Sequence, residues 1–390
     1  METVLVKPEL IRWARKRSGL TVDALQLKFP KFQLWERGEA QPTLRQLENI
    51  AKATFTPLGY FFLPSPPVET LSIPDFRTVG DVSIARPSPN LIDTLHDMQR
   101  RQDWMRDEVI ENGQDKLNFV GSGKGLSVLE LAGKIRETLG LSDGWSERCT
   151  AWEEALRELR NAVERLRILV AITGVVGLNN RRSLDPQEFR GFVLCDDYAP
   201  LIFVNGADSK SAQMFTLAHE LAHLWLGEDG LFNLIGTFPS SDATEKLCNK
   251  VAAEFLVPGT KLKNRWNDAK VTPKPFHTVA RWFKVSPIVA ARRALDLGLI
   301  DKAVFFDFYN REQEEWRLRK NKDKEDKEGG PNFYVVQDVR LGRLFATAVT
   351  RATREGRLPY LEAYRLTGLK GDTFDKYGDI LLRRLKDEHR

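Results

Sequence analysis

The sequence predicts an α+β protein, mainly helical, with a small antiparallel sheet near its middle. Three observations carry this. Apolar residues recur at helical spacing through most of the chain, as in Leu91, Leu95 and Met98, and again in Ala155, Leu159, Ala162 and Leu166. Three short runs rich in Val, Ile, Leu and Phe stand close together at 167–176, 189–195 and 200–204. No apolar stretch reaches the roughly 18 to 20 residues that a membrane-spanning helix needs, so a soluble chain that avoids membranes is expected.

Residues 1–63 read as a unit of short helices separated by turn chemistry: Gly19 before Thr21, Gly38 after Trp35-Glu36-Arg37, then Pro42-Thr43 opening Leu44–Phe55. Leu63-Pro-Ser-Pro-Pro67 forbids helix and begins an extended connector over 64–89. A larger domain over 90–310 starts with a helical lead-in. Gly121-Ser-Gly-Lys-Gly125 within it lacks the glycine at 118 and the Ser or Thr at 125 that a phosphate-binding loop needs, and reads as a plain loop. The three apolar runs give the sheet. Asn205-Gly206 then leads into a helix over about Ser209–Leu226, which Gly227 ends.

A second helix covers about Thr244–Leu256 and stops at Pro258, and a helical pair covers 275–298 with Ser286-Pro287 as its internal start signal. Residues 311–328 carry 14 charges in 18 positions and lead into Gly329-Gly330, which makes 311–330 a charged linker without a core of its own. A small helical C-terminal domain over 331–390 follows.

With 390 residues, 42% hydrophobic and 29% charged, the chain has room for two or three domains. Lys7, Glu9, Arg12 and Arg15 stand where the apolar segment of a signal peptide would lie, so a cytoplasmic location is expected. Cys149, Cys195 and Cys248 are far apart and form no C-x-x-C pair, which argues against a disulfide framework and a thiolate zinc cluster. The net charge of +5 and a pI near 9.0 permit contact with nucleic acid without requiring it, because 59 basic residues nearly balance 54 acidic ones.

The chemistry lies in His219-Glu-Leu-Ala-His223. This H-E-x-x-H pattern falls in the middle of a helical run, where positions four apart lie nearly one above the other and both imidazoles reach a single ion. Only five histidines occur in the chain, and two of them stand here on an otherwise apolar helix where an unmatched imidazole and carboxylate would be costly. A hydrolytic zinc site needs three protein ligands and one open position. For the third ligand the sequence offers Glu245, with Asn249 one turn later to orient the site, or Glu254 on the same helix.

These residues resemble the ImmA/IrrE family of metallopeptidases in two blocks, Phe215-Thr-Leu-Ala-His-Glu-Leu-Ala-His-Leu-Trp225 and Glu245-Lys-Leu-Cys-Asn-Lys-Val-Ala-Ala-Glu-Phe-Leu-Val-Pro258. The resemblance implies a zincin-like fold of the gluzincin kind. It implies Zn2+ as cofactor, held by His219, His223 and Glu245, with Glu220 as catalytic base. Glu254 falls on a position that the family does not assign to the metal. The resemblance implies that the ion polarises the scissile carbonyl and acidifies its water while Glu220 moves the proton. Tyr198 and His277 are candidates to stabilise the developing oxyanion.

The front end, with Ile11-Arg-Trp-Ala-Arg-Lys-Arg-Ser-Gly-Leu20, Trp35-Glu-Arg-Gly38 and Pro42-Thr43, is similar to helix-turn-helix regulators of the Xre type. That resemblance implies operator DNA as a partner, with Lys28, Lys31, Gln33 and Arg37 as candidate contacts, and a homodimer as a possible state. Pro30 and the apolar residues around it depart from the pattern, and the alternative is a helical module used for dimerisation or for gripping a partner protein. The whole chain is therefore expected to cleave a repressor or antitoxin-type protein in a regulatory circuit of a bacterium or mobile element. The competing expectation is a transcriptional regulator or antitoxin whose zinc site is structural or latent.

Overall fold

The computed structural model describes residues 2–69, 71, 73, 87–232, 243–322 and 332–388. They divide into two compact units, residues 1–72 with 83–96, and residues 73–82 with 97–390. Most of the proline-rich connector (70, 72 and 74–86) and part of the charged linker (323–330) lie outside the described residues.

The first unit holds α1 (Pro8–Arg17), α2 (Val22–Gln26), α3 (Phe32–Arg37) and α4 (Leu44–Ala53), followed by a 3-10 turn over Leu58–Phe62. Local chemistry sets each boundary. Pro8 opens α1, Thr21 accepts the amide of Ala24, Gly38 ends α3 with φ 79°, and Thr43 with Gln46 forms a reciprocal capping box on α4. Leu10, Ile11, Phe32, Trp35, Leu47 and Ile50 make the core of this unit. Among the described residues of this unit Glu36 is a buried acid, held by Arg15 at 2.9 Å.

In chain order there follow α5 (Pro89–Glu111), α6 (Val128–Leu139), α7 (Trp152–Arg165), β1 (Leu169–Thr173), β2 (Gly191–Leu194), β3 (Leu201–Asn205), α8 (Lys210–Leu226) and β4 (Gly230–Phe232). Beyond them lie α9 (Ala243–Leu256), α10 (Gly259–Lys270), α11 (Pro275–Phe283), α12 (Pro287–Asp296) and α13 (Lys302–Lys322). The chain ends in α14 (Phe333–Arg340), α15 (Arg343–Arg354), α16 (Tyr360–Thr367) and α17 (Asp372–Glu388). No helix among the described residues is long and apolar enough to cross a membrane.

The α+β class holds, but the sheet is mixed, where an antiparallel one was expected. Its order is β1-β3-β2-β4. β3 runs parallel to β1 with Leu169 opposite Leu201, and antiparallel to β2 with Gly191 opposite Val204. The physical reason is that an apolar run marks a buried strand without saying which strand lies beside it. Here β2 and β3 form a hairpin, and β3 takes the place next to β1. The edge strand β4 pairs antiparallel with β2; its three residues are too few to stand out in the sequence.

The first three strands are buried along their whole length. α8 packs on β2 and β3, and also on α6, α7 and α9, so it is central to the second unit. Val193, Ile202 and Val204 meet Met214, Leu217 and Leu221 in one continuous core. Truncating one of these fully buried side chains to alanine costs about 2 to 5 kcal/mol. The C-terminal helices belong to the same unit: α14 packs on β1, and Arg101 of α5 donates to the carbonyl of Leu366 at 3.1 Å.

Candidate metal centre

α8 is fixed at both ends. Ser209 caps its start by accepting the amide of Ala212, and Gly227 ends it with φ 69°. The 121–125 glycine segment is a plain loop that closes the C-terminal end of this helix. Gly121 and Gly123 donate their amides to the carbonyls of Leu224 and Trp225 at 3.1 and 2.7 Å. Phe119 stacks on the Trp225 ring with centroids 4.6 Å apart.

One turn apart in the middle of α8, His219 and His223 bring their Nε2 atoms within 3.0 Å of each other. α9 crosses beside them and contributes Glu245 from its first turn, with Oε2 3.3 Å from His219 Nε2 and Oε1 3.0 Å from His223 Nε2. All three residues are buried, and no other group of three His, Cys, Asp or Glu side chains among the described residues is poised for a metal.

This donor set fits zinc. Four ligands at about 2.0 to 2.1 Å in a tetrahedron lie roughly 3.3 Å from one another, close to the 3.0 to 3.3 Å that separate the two Nε2 atoms from each other and from the Glu245 oxygens facing them. The charge states fit as well. Burial drives His219 below its ordinary range, against the pull of Glu245 and Asn249, so its ring is neutral. Burial would raise Glu245, but hydrogen bonds from the two imidazoles prevail and hold it at about 2. Neutral imidazole and ionised carboxylate are the forms that bind a cation.

Glu220 is the second notable feature. It is fully buried, and neither carboxylate oxygen has a hydrogen-bond partner among the described residues. Burial, with Glu245 adding to it, pushes its carboxyl well above the usual range. An isolated buried carboxyl costs several kcal/mol, so a position like this is retained where something pairs with it in use. Asn249 follows Glu245 by one turn of α9, and its Oδ1 is also buried without a partner among the described residues.

Glu254, the competing third ligand, is committed elsewhere. It pairs with Arg293 of α12 and accepts the amide of Gly259 at 3.2 Å, where α10 begins. Tyr198 lies in the turn between β2 and β3, its ring 5.6 Å from Lys116 Nζ, at the opposite end of β2 from Gly191. His277 on α11 has Nε2 3.2 Å from Glu312 of α13. In the first unit Lys28, Lys31 and Arg37 are exposed, while Gln33 is half-buried and accepts from Gln26 at 3.3 Å. A residue that the motifs do not mark is Gly191, whose bare backbone lies against Thr216 and Glu220.

Residues 163–295 match the IrrE N-terminal-like domain, peptidase family M78. This segment, about a third of the chain, carries all the residues of the candidate centre and is similar to ImmA/IrrE-type metallopeptidases, a family generally dependent on zinc. Residues 341–379 match a domain of unknown function. Neither a curated protein nor a solved structure matches the chain.

Proposed function

We propose that this protein is a zinc-dependent, site-specific endopeptidase coupled to an N-terminal helix-turn-helix module, and that its substrate is a repressor or antitoxin-type protein. The observation that carries the reading is Glu220, buried and without a hydrogen-bond partner among the described residues, beside the His219–His223–Glu245 group. A purely structural zinc site has no use for such a carboxyl, and it recruits a fourth protein ligand.

In this reading His219, His223 and Glu245 hold the ion, which supplies Lewis acidity and lowers the pKa of water toward about 7. Glu220 takes the proton of the attacking water and returns it to the leaving amine. Asn249, one turn after Glu245 on α9, is the residue placed to orient the site.

The first unit supports a protein partner over a base-reading role. Leu27, 89% exposed, and Leu34 stand among Lys28, Lys31 and Arg37, where a DNA-reading surface would carry polar side chains. We read this unit as the module that delivers the peptidase to its protein target in the cytoplasm.

The deciding experiment incubates the zinc-loaded protein, or its Glu220→Gln variant, with the proteins encoded beside its gene and measures intact masses. A discrete cut made by the unaltered protein alone is the expected result. Equal stable complexes or equal operator binding by both forms, with no cut, would move the reading to a regulator or antitoxin with a structural zinc.

A further inference from the structure

The second unit carries a charged groove remote in sequence from the metal motif. Between α5, α7, α15 and α17 lies a cavity of about 720 Å³, and between α15 and α17 a further one of about 620 Å³. Arg351 and Leu385 line both, so the two adjoin. Arg165, Arg343 and Arg357 line the first; Arg354, Arg383 and Lys386 line the second.

The acids along this groove are already engaged. Glu108 and Glu355 pair with Arg357, and Asp379 pairs with Arg354. Glu164 lies 3.9 Å from Arg160 and accepts the amide of Leu344. By contrast, Arg165, Arg351, Arg383 and Lys386 are exposed and have no ion pair among the described residues. Arg383 lies near enough to Asp379 to help hold its carboxyl down, but the cations gathered here still repel one another and raise the local potential, an arrangement that a bound polyanion relieves.

We propose that this groove binds the phosphate backbone of duplex nucleic acid. Its length favours a chain of phosphates over a compact anion. Arg343 and Arg354 stand at opposite ends of α15, about 16 Å apart at 1.5 Å per residue, a span longer than one phosphate group. Its lining favours a duplex over a single strand. No aromatic side chain lines either cavity, whereas single-strand binders stack bases on such rings. Binding is accordingly through charge, without sequence preference, and it assigns a role to the segment that matches the domain of unknown function. The inference does not rest on the peptidase reading.

The test is fluorescence anisotropy of the full chain with a labelled DNA duplex of mixed sequence over a salt series. The unaltered protein binds, and the triple variant Arg351→Ala, Arg383→Ala, Lys386→Ala binds about 10-fold more weakly or worse, with the slope of log K against log salt reduced by about 3. Arg351→Lys with Arg383→Lys, which keeps the charge, retains binding. Thermal melting of each variant reports its fold, and all the substituted side chains are exposed. Absence of duplex binding, or an unchanged triple variant, overturns the proposal. So does binding lost only with Lys28→Ala, Lys31→Ala and Arg37→Ala, or binding of polyglutamate and not of duplex.

Discussion

The backbone of Gly191, the first residue of β2, lies directly against the carboxylate of Glu220: a Cβ built there would stand 3.2 Å from Glu220 Oε1. The same carbon would be 2.5 Å from Thr216 Cγ2 and 2.8 Å from the carbonyl oxygen of Phe203. No side chain fits between the sheet and the metal helix at this point. Gly191→Ala is therefore expected to force β2 and α8 apart, costing about 1 to 3 kcal/mol and displacing Glu220. The expected outcome is a lower melting temperature and a loss of peptide cleavage, with zinc content unchanged because His219, His223 and Glu245 are untouched. An alanine variant as stable and active as the parent would show that the two elements separate freely.

Two glutamates on α9 give opposite expectations. Glu245→Ala removes a carboxylate lying 3.0 to 3.3 Å from both imidazoles, so zinc measured by elemental analysis after dialysis should fall well below one ion per chain. Glu254→Ala leaves Arg293 buried without its partner, at a cost of about 3 to 5 kcal/mol, and uncaps α10. Its folded fraction should still hold one zinc. Zinc lost from the folded Glu254 variant and kept by the Glu245 variant would reverse the assignment.

Those glutamates also mark where sequence reasoning stops. The four-residue spacing of His219 and His223 on a helix is enough to bring two nitrogens together, because helical geometry is local. Glu245 and Glu254 are both acids on one predicted helix, and what separates them is Arg293, which comes from α12 far along the chain. The helix start near Ser209 and its end at Gly227 were legible for the same local reason as the histidines. The parallel pairing of β1 with β3 was not, since hydrophobicity reports burial and not neighbours. Gly191 was invisible: its importance lies in how close another element comes to it.

A pH dependence is expected at Glu164 of α7. Burial raises its carboxyl to about 7, and Arg160, Leu344 and Arg343 only partly oppose this. Between the ordinary value of 4.5 and about 7 the folded chain holds a proton that the unfolded chain has released. The stabilisation is therefore complete below about pH 4.5 and is lost as pH rises through about 7, amounting to on the order of 3 kcal/mol. Urea unfolding across this interval should show the parent losing stability relative to Glu164→Gln. A constant difference between the two would refute the shift.

The end of the metal helix gives the last prediction. Gly123 donates its amide to the carbonyl of Trp225 at 2.7 Å, which satisfies one of the carbonyls that α8 leaves open at its C-terminus. A Cβ on Gly123 would lie 2.6 Å from Leu131 Cδ1 and 3.0 Å from that same carbonyl oxygen. The leucine methyl group can move, but the carbonyl belongs to the final helical turn, in which His223, Leu224, Trp225 and Leu226 are all buried. Gly123→Ala must then shift the 121–125 loop, lengthening the hydrogen bond and disturbing the stack of Phe119 on Trp225. The expected cost is about 1 to 3 kcal/mol. Because Trp225 follows His223 by two residues, the disturbance should appear in two readouts, a lower melting temperature and a changed tryptophan fluorescence on zinc addition. Gly125→Ala, where an added carbon meets nothing within 4 Å, is the control that separates crowding from the strain of a positive φ. If Gly123→Ala, whose φ is not positive, melts with the parent while Gly125→Ala does not, only the positive φ of Gly125 matters and the loop does not hold the helix end.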